Sequence, residues 1–207
     1  MDQSFERSMN IQHVILTARE LFIEQGIANT TIHQIAQEAQ LSDMSLYRYF
    51  QNKQTLIEQV WYDALDFFYK KYQKSFEEEA KNLPTGYERF MKSMELYIRA
   101  YAKHPGWLSY TREMFHYANS AMKTNRGQNS NFYENLYRNI PKTVLATLED
   151  GVKDGSIRPD INIFGVYQMV NNLYTGTNIY KYLTEGMSDV DMFTYTAEII
   201  GSYVKNS

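Results

Sequence analysis

Two short apolar patterns separated by a tight turn constrain the fold of this chain more than any other feature of its sequence. The first pattern begins at Thr31, which together with Gln34 fits a helix capping box. Its inner face carries Ile32, Ile35, Ala36 and Ala39. After a turn at residues 40–42, Ser42 is placed to cap a second pattern, whose inner face carries Leu46, Tyr49 and Phe50. Two short helices joined in this way predict a helix-turn-helix at about residues 31–50.

The remaining sequence also has helical spacing, because apolar residues recur at intervals of three and four. Only 4 Pro and 10 Gly punctuate the pattern, and Gly26 is placed to end the first helix. A long fourth helix is predicted from about Lys53 to Ala80, and a turn at residues 155–160 contains a capping residue, Asp160. Further helices are predicted at Pro84–His104, Trp107–Ala118, Asn131–Asp154, Ile161–Thr184 and Asp189–Val204.

These patterns predict an all-α protein with two domains. The N-terminal domain, residues 1–54, is a three-helix unit that contains the helix-turn-helix. The C-terminal domain, residues 55–207, is a larger helical unit. The last two predicted helices carry wide apolar stripes, which suit either the core of their own chain or a four-helix interface between two copies.

Composition and charge narrow the functional classes. The chain has no Cys, which excludes disulfide scaffolds, thiol catalysis and zinc sites built on Cys. The first residues lack the apolar core of a signal peptide, and no stretch is long and apolar enough for a membrane span, so we expect a cytoplasmic protein. The net charge is −3, and residues 1–54 hold four basic and six acidic residues. Any nucleic-acid binding would therefore depend on few cations.

The sequence gives no sign of an enzyme. It contains no nucleophile elbow, phosphate-binding loop or dinucleotide fingerprint. His104 and His116 have no carboxylate at a spacing typical of metal ligands, so we read them as ordinary surface or satisfied residues. We predict no catalytic residue, no cofactor and no metal.

The segment from Leu21 to Leu56 resembles the DNA-binding domain of the TetR (tetracycline-repressor-like) family of transcriptional regulators. The resemblance is specific, because many residues agree at fixed spacings. The matching residues are Leu21-Phe22, Gly26, Thr30-Thr31, Ile35-Ala36, Ala39, Leu41-Ser42, Leu46-Tyr47, Tyr49-Phe50, Lys53 and Leu56.

The resemblance implies roles for individual residues at a DNA interface. Phosphate contacts are implied at Thr31, Ser42, Tyr47 and Lys53. A position from which a base can be reached is implied at His33. The recognition helix would present Asp43, Met44, Ser45 and Arg48 to the major groove.

Two of these recognition-helix residues can be interpreted further. Arg48 is the strongest candidate for a guanine contact, because a guanidinium can bond O6 and N7 together. Asp43 could accept from a cytosine amino group or simply favour the positive end of the helix, and we favour the second interpretation.

Two residues depart from the family pattern. Gln40 stands where the family usually has glycine, and a positive φ there would cost about 1 kcal/mol of strain. Met44 stands where a small residue is usual, so its side chain would either contact a thymine methyl group or crowd the groove.

The C-terminal region is rich in aromatic residues, and relatives in the family bind inducers between its helices. Candidate effector contacts are Trp61, Phe68, Tyr97, Tyr101, Trp107, Tyr110 and Phe115, with polar contacts from Asn171 and Tyr174. An aromatic pocket with few cations would suit a flat apolar or a cationic ligand. The alternative is that these side chains fill an ordinary helical core.

The resemblance predicts a homodimer, paired through the last two helices, on a near-palindromic operator in double-stranded DNA. A small-molecule effector would tilt the fourth helix, change the separation of the two recognition helices and release the DNA. Repression relieved by a ligand is the family's usual mode. The alternative is a regulator of the same family whose C-terminal domain docks a protein partner instead of a small molecule.

Overall fold

The computed structural model describes residues 3–103, 110, 113–114, 117, 142–176 and 188–206. Within these residues the chain forms eight α-helices. They are α1 (Gln3–Gln25), α2 (Ile32–Glu38), α3 (Asp43–Phe50), α4 (Lys53–Glu79), α5 (Gly86–Lys103), α6 (Thr143–Asp154), α7 (Ile163–Gly176) and α8 (Asp189–Val204). The prediction of an all-α fold is confirmed. In the described part of the chain, no helix has both the length and the apolarity that a membrane span needs.

The chain divides into two compact units, and α4 contributes to both. The first unit comprises Met1–Phe67 and Ser109–Arg138, and the second comprises Phe68–Leu108 and Asn139–Ser207. The first unit therefore recruits a segment from the middle of the chain in addition to the N-terminal helices. The predicted functional boundary after residue 54 stays a prediction.

The core of the first unit lies between α1, α2, α3 and the first part of α4. The predicted inner faces of the two short helices are buried, apart from Tyr49, which is half-buried. Helices α1 and α4 also bury apolar residues in this unit: Val14, Ala18, Phe22, Leu56, Ile57 and Val60. Gly26 adopts a φ of 83° just after α1, as its predicted role as a helix terminator requires.

The second unit packs α5, α6, α7 and α8 around one apolar cluster. Its fully or almost fully buried members include Phe90, Met94, Leu148, Val166, Val170, Phe193 and Ile200. The Arg158 N–H donates to the carbonyl of Val204 at 3.0 Å, which fastens the turn after α6 to the end of α8. The helix cap at α7 is Asn162, whose Oδ1 accepts from the Gly165 N–H at 2.8 Å. The prediction that Asp160 caps a helix here was wrong, because its carboxylate pairs with Arg158 instead.

Helices α5 and α6 touch backbone to backbone where Gly86 meets Gly151. A Cβ atom on Gly86 would lie 2.0 Å from the backbone nitrogen of Gly151. The contact is reinforced by Asp154, whose carboxylate accepts from the Gly86 N–H at 2.6 Å, and by Arg89, which lies 3.5 Å from Asp150. Since backbone cannot move aside as a flexible side chain can, this crossing requires glycine.

We expect Gly86→Ala to lower the free energy of unfolding by about 3 kcal/mol, because the added methyl group forces two helix backbones apart. Thermal and urea unfolding followed by circular dichroism would measure the change. Gly165→Ala is the matched control, since a Cβ there meets only the Asn162 side chain, at 3.1 Å. Equal and small effects of the two substitutions would contradict the assigned backbone contact.

Candidate nucleic-acid interface

Helix α2 begins at a complete capping box, as the sequence predicts. The Thr31 hydroxyl accepts from the Gln34 N–H at 3.1 Å, and the Gln34 side chain accepts from the Thr31 N–H at 2.8 Å. The preceding residue, Thr30, is buried and donates its hydroxyl to the Gly26 carbonyl at 2.9 Å. These bonds fix the start of α2 and leave Thr31 itself exposed.

The turn between the two short helices has the strain that its sequence predicts. Gln40 has a φ of 55°, in the left-handed region that favours glycine. The next residue, Leu41, donates its N–H to the carbonyl of Ala36 at 2.9 Å, which closes the end of α2. The strain is local, and the tight turn brings Ser42 into position to begin α3.

Helix α3 is anchored by buried side chains on its inner face and is capped at its start. Leu46 and Phe50 are buried, and the Ser42 hydroxyl accepts from the Ser45 N–H at 3.2 Å. An amphipathic helix of eight residues held in this way has a fixed rotation about its own axis. The outward face presents Met44, which is 81% exposed, and Tyr47, which is 53% exposed.

The cation at the end of the outward face is Arg48. Its guanidinium lies 5.4 Å from the centre of the Tyr49 ring and 3.5 Å from the Ser45 hydroxyl. The guanidinium of Arg7, from α1, lies 5.9 Å from the centre of the same ring. Cation–π contacts of this kind orient a side chain without using all five of its donors. Arg7 could not be predicted as part of this surface, because no local sequence pattern links α1 to a ring 42 positions along the chain.

The predicted interface residues His33 and Asp43 lie in contact with each other. His33 Nδ1 is 3.1 and 3.2 Å from the two carboxylate oxygens of Asp43. The contact joins the second residue of α2 to the first residue of α3. Both side chains remain substantially exposed. The pair therefore lies on the surface of the helix-turn-helix and not in its core.

Lys53 has a structural partner in addition to its predicted role at a phosphate. Its ammonium donates to the Ile27 carbonyl at 2.6 Å, and burial lowers the pKa of Lys53. On the other side of the same residue, the Ile27 N–H is 3.4 Å from a carboxylate oxygen of Glu113. The ammonium has three N–H donors, so two stay available for another ligand.

The candidate effector residues fall into separate clusters. In the first unit, Tyr110 stacks on Phe22 with ring centres 6.4 Å apart, and it meets Trp61 at 5.7 Å. All three side chains are buried, and burial raises the pKa of Tyr110 well above its usual range. The candidates Trp107 and Phe115 lie outside the described residues.

In the second unit, Tyr97 meets Phe68 at 5.1 Å and Tyr72 at 5.8 Å, both edge to face. Burial raises the pKa of Tyr72. Asn171, on α7, is buried. The side chains of Tyr101 and Tyr174 lie outside the described residues. The predicted roles of all these residues in ligand binding stay predictions.

Comparison with known proteins places the chain in context. Residues 14–60 match the family model of the bacterial regulatory proteins of the tetR family. The HTH-type transcriptional repressor KstR2 of Mycolicibacterium smegmatis is 27% identical to the chain over 155 residues, which are 75% of this chain and 71% of that protein.

Solved structures share the fold over almost the whole chain. A putative transcriptional regulator from Saccharomonospora viridis, in complex with choline, has a TM-score of 0.75 and 18% identity and covers 97% of this chain and 100% of its own. The regulator FadR of Bacillus subtilis, in complex with stearoyl-CoA, has a TM-score of 0.70 and 17% identity and covers 93% of this chain and 98% of its own. At 17% and 18% sequence identity, the similarity to these two structures shows a shared fold and no more.

A capped and anchored second helix that exposes Met44, Tyr47 and Arg48 defines a helix-turn-helix DNA-binding protein. Residues 14–60 carry the DNA-binding domain of the tetR family of bacterial regulatory proteins. The predicted family is confirmed, and so is the prediction of a transcriptional regulator and not an enzyme.

We expect Gln40→Gly to raise the free energy of unfolding by about 1 kcal/mol, because it removes the strain of a left-handed residue that has a side chain. Gln37→Gly is the matched control: this exposed residue lies inside α2, where glycine costs about 1 kcal/mol. Chemical unfolding of both variants measures the change in the free energy of unfolding, which should rise for Gln40→Gly and fall for Gln37→Gly. A stability loss at both positions would show that the turn is not strained.

Proposed function

We propose that the chain represses transcription as a homodimer that binds a near-palindromic operator and leaves it when a small molecule binds. The observation that carries the proposal is the geometry of α3, which is anchored by Leu46 and Phe50 and presents Arg48 outward. Two such helices, about 34–36 Å apart in a dimer, fit successive turns of the major groove. Because a protein that binds an operator must reach bacterial DNA, the proposal includes a cytoplasmic location.

In the proposed interface, some side chains contact the phosphate backbone of the DNA and others contact its bases. Thr31, Ser42, Tyr47 and Lys53 contact phosphates and set the register of the protein on the duplex. His33, Asp43, Met44, Ser45 and Arg48 lie at or beside the base edges, and Arg48 bonds a guanine. Residues 1–54 form the domain that performs this function, and residues 55–207 form the domain that dimerises and binds the effector.

Arg48→Ala should lower discrimination between the operator and its variants by about tenfold or more, since one bidentate guanine contact is worth about 1–3 kcal/mol. Lys53→Ala should instead weaken binding to every duplex and make the dependence on salt less steep. Fluorescence anisotropy over a salt series, with operator and unrelated DNA, separates the two effects.

Lys153→Ala is the matched control for loss of one surface charge, because Lys153 is exposed on α6 in the second unit. Melting curves for Lys53→Ala exclude a loss of folding through the bond to Ile27. If Arg48→Ala left the sequence preference unchanged, the assignment of Arg48 to a base would be wrong.

Exposed apolar side chains support dimerisation through α7 and α8. The members are more than half exposed, although they are large and apolar: Phe164, Met169, Tyr195, Ile199 and Tyr203. The three on α8 recur every four residues and so form one stripe along the helix. Two α7–α8 pairs related by a twofold axis would bury these side chains in a four-helix interface.

Ile199→Glu should raise the dissociation constant of the dimer by about a hundredfold, because the twofold axis would bury two unpaired carboxylates. Analytical ultracentrifugation over a concentration series measures this constant. Ala146→Glu introduces the same charge at an exposed position of α6 and should have no effect. A dimer that dissociates equally in both variants would refute this interface.

The aromatic clusters and the structural relatives support control by a small molecule. One relative holds choline and another holds stearoyl-CoA, a quaternary ammonium and a long acyl chain with an anionic carrier. Aromatic side chains suit either an apolar chain or a cation. The effector releases the DNA only to the extent that it favours the released state, typically by about 1–3 kcal/mol.

The alternative is that the second unit docks a protein partner, and the same exposed stripe on α8 favours it. The two proposals can be separated by selecting bound duplexes from a random library. The selection is done with and without a panel of metabolites that includes choline and stearoyl-CoA. An enriched palindrome that one compound abolishes supports ligand control. A palindrome that no compound disturbs favours the protein partner, and no enrichment contradicts operator binding altogether.

A further inference from the structure

Two arginines from different helices share one aromatic ring at the end of α3. The guanidinium of Arg7, on α1, lies 5.9 Å from the centre of the Tyr49 ring, and the guanidinium of Arg48 lies 5.4 Å from it. The ring is itself held by Phe50, which is buried and meets it edge to face at 6.3 Å. The Tyr49 ring therefore brings a cation of α1 next to the recognition helix.

Neither of these two guanidiniums is neutralised by the protein. In the part of the chain that the structure describes, no carboxylate oxygen lies within 4 Å of the guanidinium nitrogens of Arg7 or Arg48. Two other basic residues, on α1 and α4, have partners instead. Arg19 lies 3.8 Å from Asp63, and Lys53 donates to a backbone carbonyl. The uncompensated positive charge is thus collected at one ring.

This arrangement favours an external anion. The ring attracts each cation through its quadrupole, but it does not cancel the repulsion between the two positive charges. A guanidinium presents five N–H donors in a planar fork, which fits the oxygens of a phosphate group. Arg7 is exposed and makes no hydrogen bond within the described residues, so its fork is available to such a ligand.

We propose that Arg7 binds a backbone phosphate of the operator, and that Tyr49 is a positioning residue whose ring holds Arg7 beside Arg48. The proposal rests on the function proposed above, because the anion that it names is operator DNA. Arg7 lies outside residues 14–60, which match the family model, and outside the segment whose motifs resemble the family. Its role follows from the contact with Tyr49 alone.

The position of Arg7 on α1 determines which part of the DNA it meets. In the proposed complex α3 occupies the major groove, so a cation carried beside it on another helix faces the sugar–phosphate edge of that groove. Phosphate contacts carry no sequence information. Arg7 should therefore strengthen binding to every duplex, whereas Arg48, over the same ring, reads a base.

Arg7→Gln should weaken binding about tenfold per contact at ~0.1 M salt, because each phosphate left unneutralised releases no counterion. The plot of log affinity against log salt should become shallower by about 0.9 per subunit. Fluorescence anisotropy of the full chain over a salt series measures both, on the palindrome selected from the library and on an unrelated duplex of equal length.

Two control variants separate the charge of Arg7 from general effects. Arg7→Lys keeps the positive charge and should keep the wild-type slope. Arg19→Gln removes a cation of the same helix that lies against Asp63, and it should also leave the slope unchanged. Melting curves of each variant establish that it is folded.

Variants of Tyr49 test the positioning role. Tyr49→Leu removes the ring and should make the salt dependence shallower, as Arg7→Gln does, although the charge of Arg7 is still present. Tyr49→Phe keeps the ring and should keep the slope, since a neutral hydroxyl releases no counterion. On the unrelated duplex, adding Arg7→Gln to Tyr49→Leu should cause no further loss, because both substitutions remove the same contact.

A readout without DNA tests the contact itself. In the free protein, the NMR signals of the Arg7 side chain should be displaced by the nearby ring. The displacement should persist in Tyr49→Phe and vanish in Tyr49→Leu. Undisplaced signals in the wild-type protein would show that the ring does not hold Arg7, and they would leave the proposed function untouched.

Three results on DNA would overturn the proposal. A wild-type slope in Arg7→Gln would show that Arg7 meets no phosphate, and a loss confined to the palindrome would assign it to a base. Additive losses in the double variant would show that Tyr49 does not position Arg7. If the wild-type protein bound no duplex at any salt concentration, the proposed function would fail and this proposal with it.

Discussion

Burial of Leu46 and Phe50 beneath α3 is the interaction on which the DNA-binding surface depends. A helix of eight residues is too short to be stable alone in water, so tertiary packing has to hold it. The same packing sets the rotation of the helix, because the apolar side must face the core of the first unit. Met44, Tyr47 and Arg48 face outward as a result, and Ser42 and Gln40 only define where the helix starts.

The DNA-binding surface has few positively charged side chains, and several of them make intramolecular contacts. Arg7 and Arg48 both lie over the Tyr49 ring, and Lys53 donates to the Ile27 carbonyl. These contacts restrict the side chains before DNA arrives, which lowers the entropy lost on binding. They do not supply more positive charge. A monomer with so few cations would release few counterions on binding DNA, and the proposed pairing of two copies on one operator would offset this.

Local signals predicted the helix-turn-helix and its strain from sequence. The capping box at Thr31, the cap at Ser42 and the left-handed Gln40 all depend on residues within four positions of each other. The same holds for α8, predicted and observed over residues 189–204. Contacts between distant residues were not predictable: the family resemblance gave His33 and Asp43 separate roles, and periodicity cannot pair Arg7 with Tyr49. Nor could it assign Tyr110 to the cluster of Phe22 and Trp61 in the first unit.

The Ile27 backbone shows how this surface is tied to the rest of its unit. Its carbonyl accepts from Lys53 at the start of α4, and its N–H faces the Glu113 carboxylate from the middle of the chain. Ile27 itself is buried between α1 and α2, so its peptide groups cannot turn to water if either partner leaves. Any movement of α4 or of the Glu113 segment must then carry the α1–α2 corner along or leave a buried polar group unsatisfied. Since α2 and α3 continue from that corner, a displacement at Ile27 changes where the recognition helix lies.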